Sequence, residues 1–270
     1  MNITFIGGGN MASALISGLL QQGFAAEQLQ VVEINAESRE KLKLEFGVWA
    51  THDLADGIAK SDVVLLSVKP QQLYELAQEL APLLRDQLMI SIAAGIRASD
   101  IMRWLGDYGR VVRAMPSTPS LVRLGVTGLY ATSSVNEQDR RNAESILAAV
   151  GSTLWVEEEE MLHAVTAISG SGPAYVFYFI ESMQQAGIEL GLTPIQARQL
   201  SLQTFVGASK LASMSDEDVV TLRARVSSKG GTTELAIQAM EESDIKCKIM
   251  AAIHAASVRS HEMSDEFGRK

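Results

Sequence analysis

Through the first 156 residues, short apolar runs alternate with stretches in which apolar positions recur at helical spacing. The runs at 2–6, 29–33, 48–49, 62–68, 88–92, 111–115, 128–131 and 153–156 predict strands. Residues 62–68 (Asp-Val-Val-Leu-Leu-Ser-Val) are almost continuously apolar, as a central parallel strand covered on both faces requires. Between the runs, Ala14, Leu15, Gly18 and Leu19 mark one helix, and segments 36–46, 53–60, 71–84 and 136–150 predict four more. This alternation is that of an α/β protein with a parallel sheet. After the acidic run 157–160 the strand pattern stops. Residues 161–168, 173–190, 194–212, 216–227, 233–242 and 246–267 read as helices, which places a boundary near Glu160. The expectation is a domain over 1–159 and an all-helical domain over 160–270.

The helix over 173–190 is apolar nearly all round, with Val176, Phe177, Phe179, Ile180, Met183 and Ile188. Such a helix is buried on most sides. A small helical domain cannot cover it alone, so a homodimer is expected. The other reading is a helix enclosed between its own two domains.

Composition narrows the function. The 270 residues are 47% apolar and 20% charged, with net charge −9. That balance gives no footprint for nucleic acid or an anionic membrane. No run of 18 or more apolar residues is uninterrupted, so no membrane span is expected. The single cysteine, Cys247, reads as a structural position on a helix. It excludes an intrachain disulfide and suits a reducing cytoplasm. The four histidines, His52, His163, His254 and His261, show no metal-ligand spacing, so no metal is expected. The run Glu157–Glu160 reads as a solvated connector.

Two stretches carry chemistry. The first is Gly7-Gly8-Gly9-Asn10-Met11-Ala12, a G-x-G-x-x-A fingerprint between a predicted strand and helix. Gly7 permits the turn, Gly9 lets a pyrophosphate approach the backbone, and Ala12 lets the helix sit close on the sheet. The fold class is therefore a Rossmann-type doubly wound α/β sheet followed by an all-α domain. Glu33 ends the second strand about twenty residues beyond the fingerprint, where a carboxylate reads ribose hydroxyls. It repels a 2′-phosphate, which favours NADH. Arg39 is the nearest cation that offsets this, which keeps NADPH open. Ligands lie at strand C-termini in such folds, so Ser67, Val68, Lys69 and Pro70 are expected to line the cofactor cleft. Small residues Ala93, Ala94 and Gly95, and the loop Pro116–Pro119, follow two further strands.

The second stretch is Ser227-Ser228-Lys229-Gly230-Gly231-Thr232-Thr233-Glu234, which opens a helix. Exposed amides and the positive end of the helix dipole there suit a small carboxylate. The plainer reading is a helix start capped by Thr232, with Glu234 in the first turn.

Together with Ser-Val-Lys-Pro at 67–70, Ser-Gly-Ser-Gly-Pro-Ala-Tyr at 169–175 and Met-Pro-Ser-Thr-Pro at 115–119, these stretches resemble the pyrroline-5-carboxylate reductase family from residue 2 to about residue 265. The resemblance implies NAD(P)H-dependent reduction of 1-pyrroline-5-carboxylate to L-proline, and a helical dimerisation domain whose dimers often form a decamer, a pentamer of dimers. It implies cofactor contacts at Ile6, Gly7, Gly8, Gly9, Asn10 and Met11, at Ser67–Pro70 and at Ala93–Gly95. It places the small-molecule substrate at Gly230, Gly231, Thr232 and Thr233. Three positions depart from the family pattern: Ser117 in place of Asn, Lys229 in place of Pro, and Arg225 in place of Asn or Asp.

A carbonyl reductase supplies a proton donor such as His, Lys or Tyr. Hydroxyacid dehydrogenases of this layout place a lysine on the helix after a similar glycine motif, where this chain has Val176, Phe177, Tyr178 and Phe179. An iminium substrate arrives already protonated, so holding and orienting it suffices. Thr233 is the candidate for the hydrogen bond at the ring nitrogen, with Ser171 and Pro173 shaping the floor beside the nicotinamide. The rival readings are a hydroxyacid dehydrogenase and a non-catalytic dinucleotide-binding sensor.

Overall fold

The computed structural model describes residues 1–269. The chain divides into two compact units, Met1–Ser171 with Ala256–Lys270, and Gly172–Ala255.

The first unit is built from β1 (Ile3–Ile6), α1 (Asn10–Gln21), β2 (Leu29–Val32), α2 (Ala36–Phe46), β3 (Trp49–Thr51), α3 (Leu54–Ile58), β4 (Val63–Leu66), α4 (Pro70–Leu80), β5 (Leu88–Ser91), α5 (Ala98–Trp104), β6 (Val111–Met115), β7 (Gly125–Ala131), α6 (Glu137–Leu147), β8 (Gly151–Trp155) and α7 (Met161–Val165). Its single eight-stranded sheet runs β3-β2-β1-β4-β5-β6-β7-β8. The order reverses at β1, the switch point at which such sheets bind ligands. β1 pairs in parallel with both β2 and β4, Ile3 lying opposite Leu29 on one side and Val63 on the other.

Side chains alternate across the sheet as strand geometry demands. Phe5, Val63, Leu65 and Ile90 face one way, onto Leu15, Ile16 and Leu19 of α1 and Ile146 and Leu147 of α6. Ile6, Val64, Leu66 and Met89 face the other way, onto Leu73 and Leu80 of α4 and Ile101 and Trp104 of α5. Each of these leucines and isoleucines contributes about 1.5–3 kcal/mol by its burial. Local signals set the helix limits: Asn35 Oδ1 accepts the Ser38 N–H at 2.8 Å to start α2, and Gly47, at φ +70°, ends it.

The structure departs from the sequence pattern in several places. Helix α5 falls in a stretch for which the pattern predicts no element; it is one short turn pair. β7 runs antiparallel to β6, Arg113 opposite Tyr130. The linking segment is one 3₁₀ turn at Thr118–Val122 ending in left-handed Arg123, too short for a crossover helix. The helix expected over 161–168 changes to a π-helix at Thr166–Gly170. There Thr166 and Ser169 hydroxyls donate to the carbonyls of Leu162 and Val165, at 2.7 and 2.9 Å. Such back-bonding competes with the regular ladder.

The compact division also differs from the expected one at Glu160. α7 packs against β7, where a Cβ on Gly128 would lie 2.7 Å from Val165. The residues from Ala256 onward pack under the β5 loop, where Met263 and Phe267 fill the space a Gly95 side chain would take. Arg97 pairs with Asp265 at 2.5 Å.

The second unit holds α8 (Gly172–Glu189), α9 (Pro194–Met214), α10 (Val219–Arg225), α11 (Thr232–Glu242) and the start of α12 (Ile245–Phe267). α8 packs on α9. Among the described residues of this unit the buried hydrophobic side chains are Ile180 and Ala197. Phe177 and Tyr178 of α8 are 65% and 69% exposed in the single chain. Cys247 is exposed on α12. Among the described residues no helix is long and apolar enough to cross a membrane.

Candidate functional site

At the C-terminal tips of β1, β2 and β4 the first unit opens a cleft of about 420 Å³. Ile6, Gly7, Gly8, Gly9, Glu33, Ser67, Val68 and Lys69 line it, eight of the residues expected at a cofactor. Asn10, Met11, Pro70, Ala93, Ala94 and Gly95 are not among its lining residues. Asn10 and Met11 begin α1, Pro70 is the first residue of α4, and Gly95 faces Met263 and Phe267. His52, Leu54, Gln72, Glu75, Leu76 and Glu79 also line the cleft. They come from β3, α3 and α4 flanks with no motif of their own, so no sequence signal marks them.

The fingerprint glycines have distinct physical tasks. Gly7 has φ +97°, and a Cβ there would meet the Ser67 carbonyl oxygen at 2.9 Å. Its amide donates to the Val32 carbonyl at 2.8 Å. Ser67 Oγ donates to the carbonyls of Ile6 and Gly7, at 2.9 and 2.8 Å, and so holds the tips of β1 and β4 together. Gly9 is the residue before α1, and nothing lies within 4 Å of where its Cβ would be. An open approach to a helix N-terminus is what a pyrophosphate needs, so these residues fit a dinucleotide.

Glu33 does more than end β2. One carboxylate oxygen accepts the Gly8 N–H and the other the Asn35 N–H, both at 2.8 Å. Arg39 donates to the carbonyls of Glu33 and Ile34, at 2.7 and 2.9 Å. The acid and the cation therefore shape the same corner of the cleft.

Ser117 is buried, and its Oγ accepts the Val126 N–H at 3.0 Å. This hydroxyl is committed to the start of β7. Ser171 follows the π-helix. Beside it a Cβ on Gly170 would meet Met115 at the tip of β6, 2.6 Å away, which brings the Ser-Gly-Ser segment to the edge where the parallel strands end.

The acidic connector is not simply solvated. Glu159 Oε1 accepts from the buried Arg113 guanidinium and from the Ala98 N–H that opens α5, both at 2.7 Å. The scattered histidines also come together in part. His163 and His261 lie with Glu160 so that their ligand atoms are within 4.8 Å of one another.

In the second unit, Gly230 adopts φ +73°, and Gly231 precedes α11 as its cap. The plain reading with Thr232 as cap is corrected, since Thr232 is already the first helical residue. The Gly230 N–H donates to Glu234 Oε2 at 2.6 Å and the Gly231 N–H to the Ser228 carbonyl at 3.0 Å. These two amides are used within the loop, so the amides left at the helix start belong to Thr232, Thr233 and Glu234. The Thr233 hydroxyl has no hydrogen-bond partner among the described residues. Arg225 pairs with Glu217 at 2.6 Å.

Comparison with known proteins agrees with this layout. The family described as pyrroline-5-carboxylate reductase dimerisation matches residues 159–263. The family described as NADP oxidoreductase, coenzyme F420-dependent, matches residues 2–95. The pyrroline-5-carboxylate reductase of Pseudomonas aeruginosa is 44% identical over 268 residues, covering 99% of this chain and 98% of that protein. The structure of a pyrroline-5-carboxylate reductase from Coxiella burnetii superposes with a TM-score of 0.94 at 42% identity, over 97% of this chain and 98% of that one. The Plasmodium falciparum pyrroline carboxylate reductase, solved with NADP bound, gives 0.85 at 28% identity over 98% of both chains. Likeness of this extent, from the glycine turn at β1 to the end of α12, shows that the chain belongs to the pyrroline-5-carboxylate reductase family of oxidoreductases.

Proposed function

We propose that this chain reduces 1-pyrroline-5-carboxylate to L-proline with a reduced nicotinamide dinucleotide. The observation that carries the reading is the end-to-end likeness to reductases of that name, with 44% identity over 99% of the chain. When bound, the nicotinamide supplies the hydride that adds to the imine carbon. The protein's own residues bind and orient. Gly9 and the start of α1 take the pyrophosphate, and Lys69 in the cleft adds a positive charge. The amides of Thr232 and Thr233, with the α11 dipole, hold the substrate carboxylate. Gly230 and Gly231 shape that loop, and Ser171 borders the ring. The ring nitrogen keeps its proton throughout, and Thr233 Oγ hydrogen-bonds to it, so no acid residue is required. Exposed Lys229 adds a positive charge beside the same loop.

Two experiments test this. Thr233→Ala is expected to lower kcat/KM about 10- to 100-fold, at about 1.4 kcal/mol per decade, with Thr233→Ser retaining most of the rate. Turnover of Thr233→Ala at the wild-type rate removes the hydroxyl from the mechanism. The cofactor reading is that Glu33 favours NADH, while Arg39 keeps NADPH usable. Glu33→Ala is expected to narrow the NADH advantage. It also frees the Gly8 and Asn35 amides that shape the cleft, so affinity for both nucleotides should fall as well, by about tenfold or more. An unchanged NADH to NADPH ratio in steady-state assays defeats the ribose reading.

The hydroxyacid reading places a lysine on the helix following the glycine motif, and α8 contains none. A substrate panel read by loss of the reduced-nicotinamide absorbance separates that activity from imine reduction, and a silent panel points to the sensor. The near absence of buried apolar side chains in the second unit supports a homodimer through the helical unit; its further assembly as a pentamer of dimers rests on the family resemblance alone. Light scattering that finds a monomer excludes it.

A further inference from the structure

Outside the cleft and the α11 loop, a group of ligating side chains gathers where α7 meets the end of α12. We propose that Glu160, His163 and His261 form a site for one divalent cation of borderline softness, Zn²⁺ or a first-row neighbour, which braces α7 to the end of α12.

The argument starts from a buried atom. His163 is 1% exposed, and its Nε2 has no hydrogen-bond partner among the described residues. An unsatisfied buried nitrogen is costly and calls for an explanation. Its other ring nitrogen, Nδ1, lies 2.8 Å from Ser260 Oγ. In the tautomer that donates Nδ1–H to Ser260, the free Nε2 carries a lone pair, the arrangement of a metal-ligating histidine and its outer partner. That nitrogen faces Glu160 Oε2 at 3.6 Å, and His261 Nδ1 faces the same oxygen at 3.3 Å. An ion with bonds of about 2.0–2.1 Å in tetrahedral geometry spaces its ligand atoms about 3.3–3.4 Å apart. Two edges of that tetrahedron are therefore nearly in place.

The third edge, between the two imidazoles, lies within the 4.8 Å that contains the cluster. The rings are stacked with centroids 3.7 Å apart and planes 33° apart. His261 is about half exposed, so its side chain has room to turn Nδ1 towards the shared point. His163 and Ser260 are the fixed wall, and Glu160 and His261 are the arms that close. Glu160, the residue just before α7, and His163 within it are three residues apart.

The two arginines near the cluster each have a carboxylate partner. Arg113 is paired with Glu159 at 2.7 Å and Arg97 with Asp265 at 2.5 Å. Two imidazoles and one carboxylate, with a fourth position left to water, suit Zn²⁺, Co²⁺ or Ni²⁺ better than Mg²⁺ or Ca²⁺.

The test uses the full-length protein, without nucleotide or imine, so its outcome is separate from that of the reductase assay. Zn²⁺ is added, excess is removed by gel filtration, and bound metal is counted by mass spectrometry. Co²⁺ serves as the optical probe. The expected result is one ion per chain, visible Co²⁺ bands of low-coordinate type, and a higher melting temperature. His261→Ala and Glu160→Gln, both at exposed positions, should each weaken binding about tenfold or more and abolish the thermal gain. Cys247→Ser should bind as wild type. Failure of the wild type to retain the ion, or unchanged binding in both His261→Ala and Glu160→Gln, overturns the proposal.

Discussion

Glu159→Gln is expected to destabilise the protein by about 3–5 kcal/mol, an unusual loss for a residue drawn from a run of four surface-like glutamates. The reason is its partner. The Arg113 side chain is 4% exposed, in the middle of the sheet, and Glu159 is its salt-bridge partner at 2.7 Å. Removing the carboxylate leaves a buried guanidinium without its counter-charge, and it weakens the acceptor of the Ala98 N–H at the head of α5. The double variant Arg113→Met, Glu159→Leu should recover a large part of the loss, because neither charge then needs solvation. Urea denaturation at one fixed protein concentration, read as a shift in midpoint, checks both. A single-variant loss below about 1 kcal/mol would place the pair with ordinary surface ion pairs and refute the argument.

Gly9→Val is expected to do the reverse: to spare the fold and remove the cofactor. Gly9 has φ −73° and ψ −175°, which valine adopts without strain, and its missing side chain faces open space. The stability cost should be about 1 kcal/mol or less, the ordinary penalty for a poor residue at a helix cap. The valine methyl groups then occupy the approach a pyrophosphate makes to the α1 amides. Loss of those contacts should weaken dinucleotide binding about 100-fold, or near 2.7 kcal/mol. Calorimetric titration with NADH and NADPH, beside a thermal melt, separates the two effects. Binding within about threefold of wild type would mean the phosphates lie elsewhere, since even one charged hydrogen bond exceeds that.

Much of the molecule is visible in the chain before folding. The run at 62–68 identifies the central strand, since only a strand covered on both faces tolerates so few polar residues. The spacing of Gly7, Gly9 and Ala12 locates the switch point, because a tight turn, an open approach and a close helix each need a small residue. The helix round Phe177 and Tyr178 is apolar enough to lead one to expect burial, yet those rings stand 65% and 69% exposed in one chain.

Other features were decided only by the tertiary structure. Glu33 looks like a ribose reader, yet its two oxygens are held by Gly8 and Asn35 amides as well. Gly230 and Gly231 look like anion donors, yet their amides are satisfied inside the loop, and the free ones belong to the residues after them. The segment 157–160 looks solvated, yet it supplies the counter-charge for Arg113 and the carboxylate beside the two histidines. Periodicity records which face of an element is buried, because hydrophobic burial depends on area and has no direction. Hydrogen bonds and ion pairs are short-ranged and directional, and here they join groups 46 and 97 residues apart, as Arg113 with Glu159 and His163 with Ser260 do. The sequence by itself thus determined the run of strands and helices, the glycine turn and the family; the antiparallel turn of β7, and which polar groups stay free for chemistry, were settled only when folding brought distant partners to within 3 Å of each other.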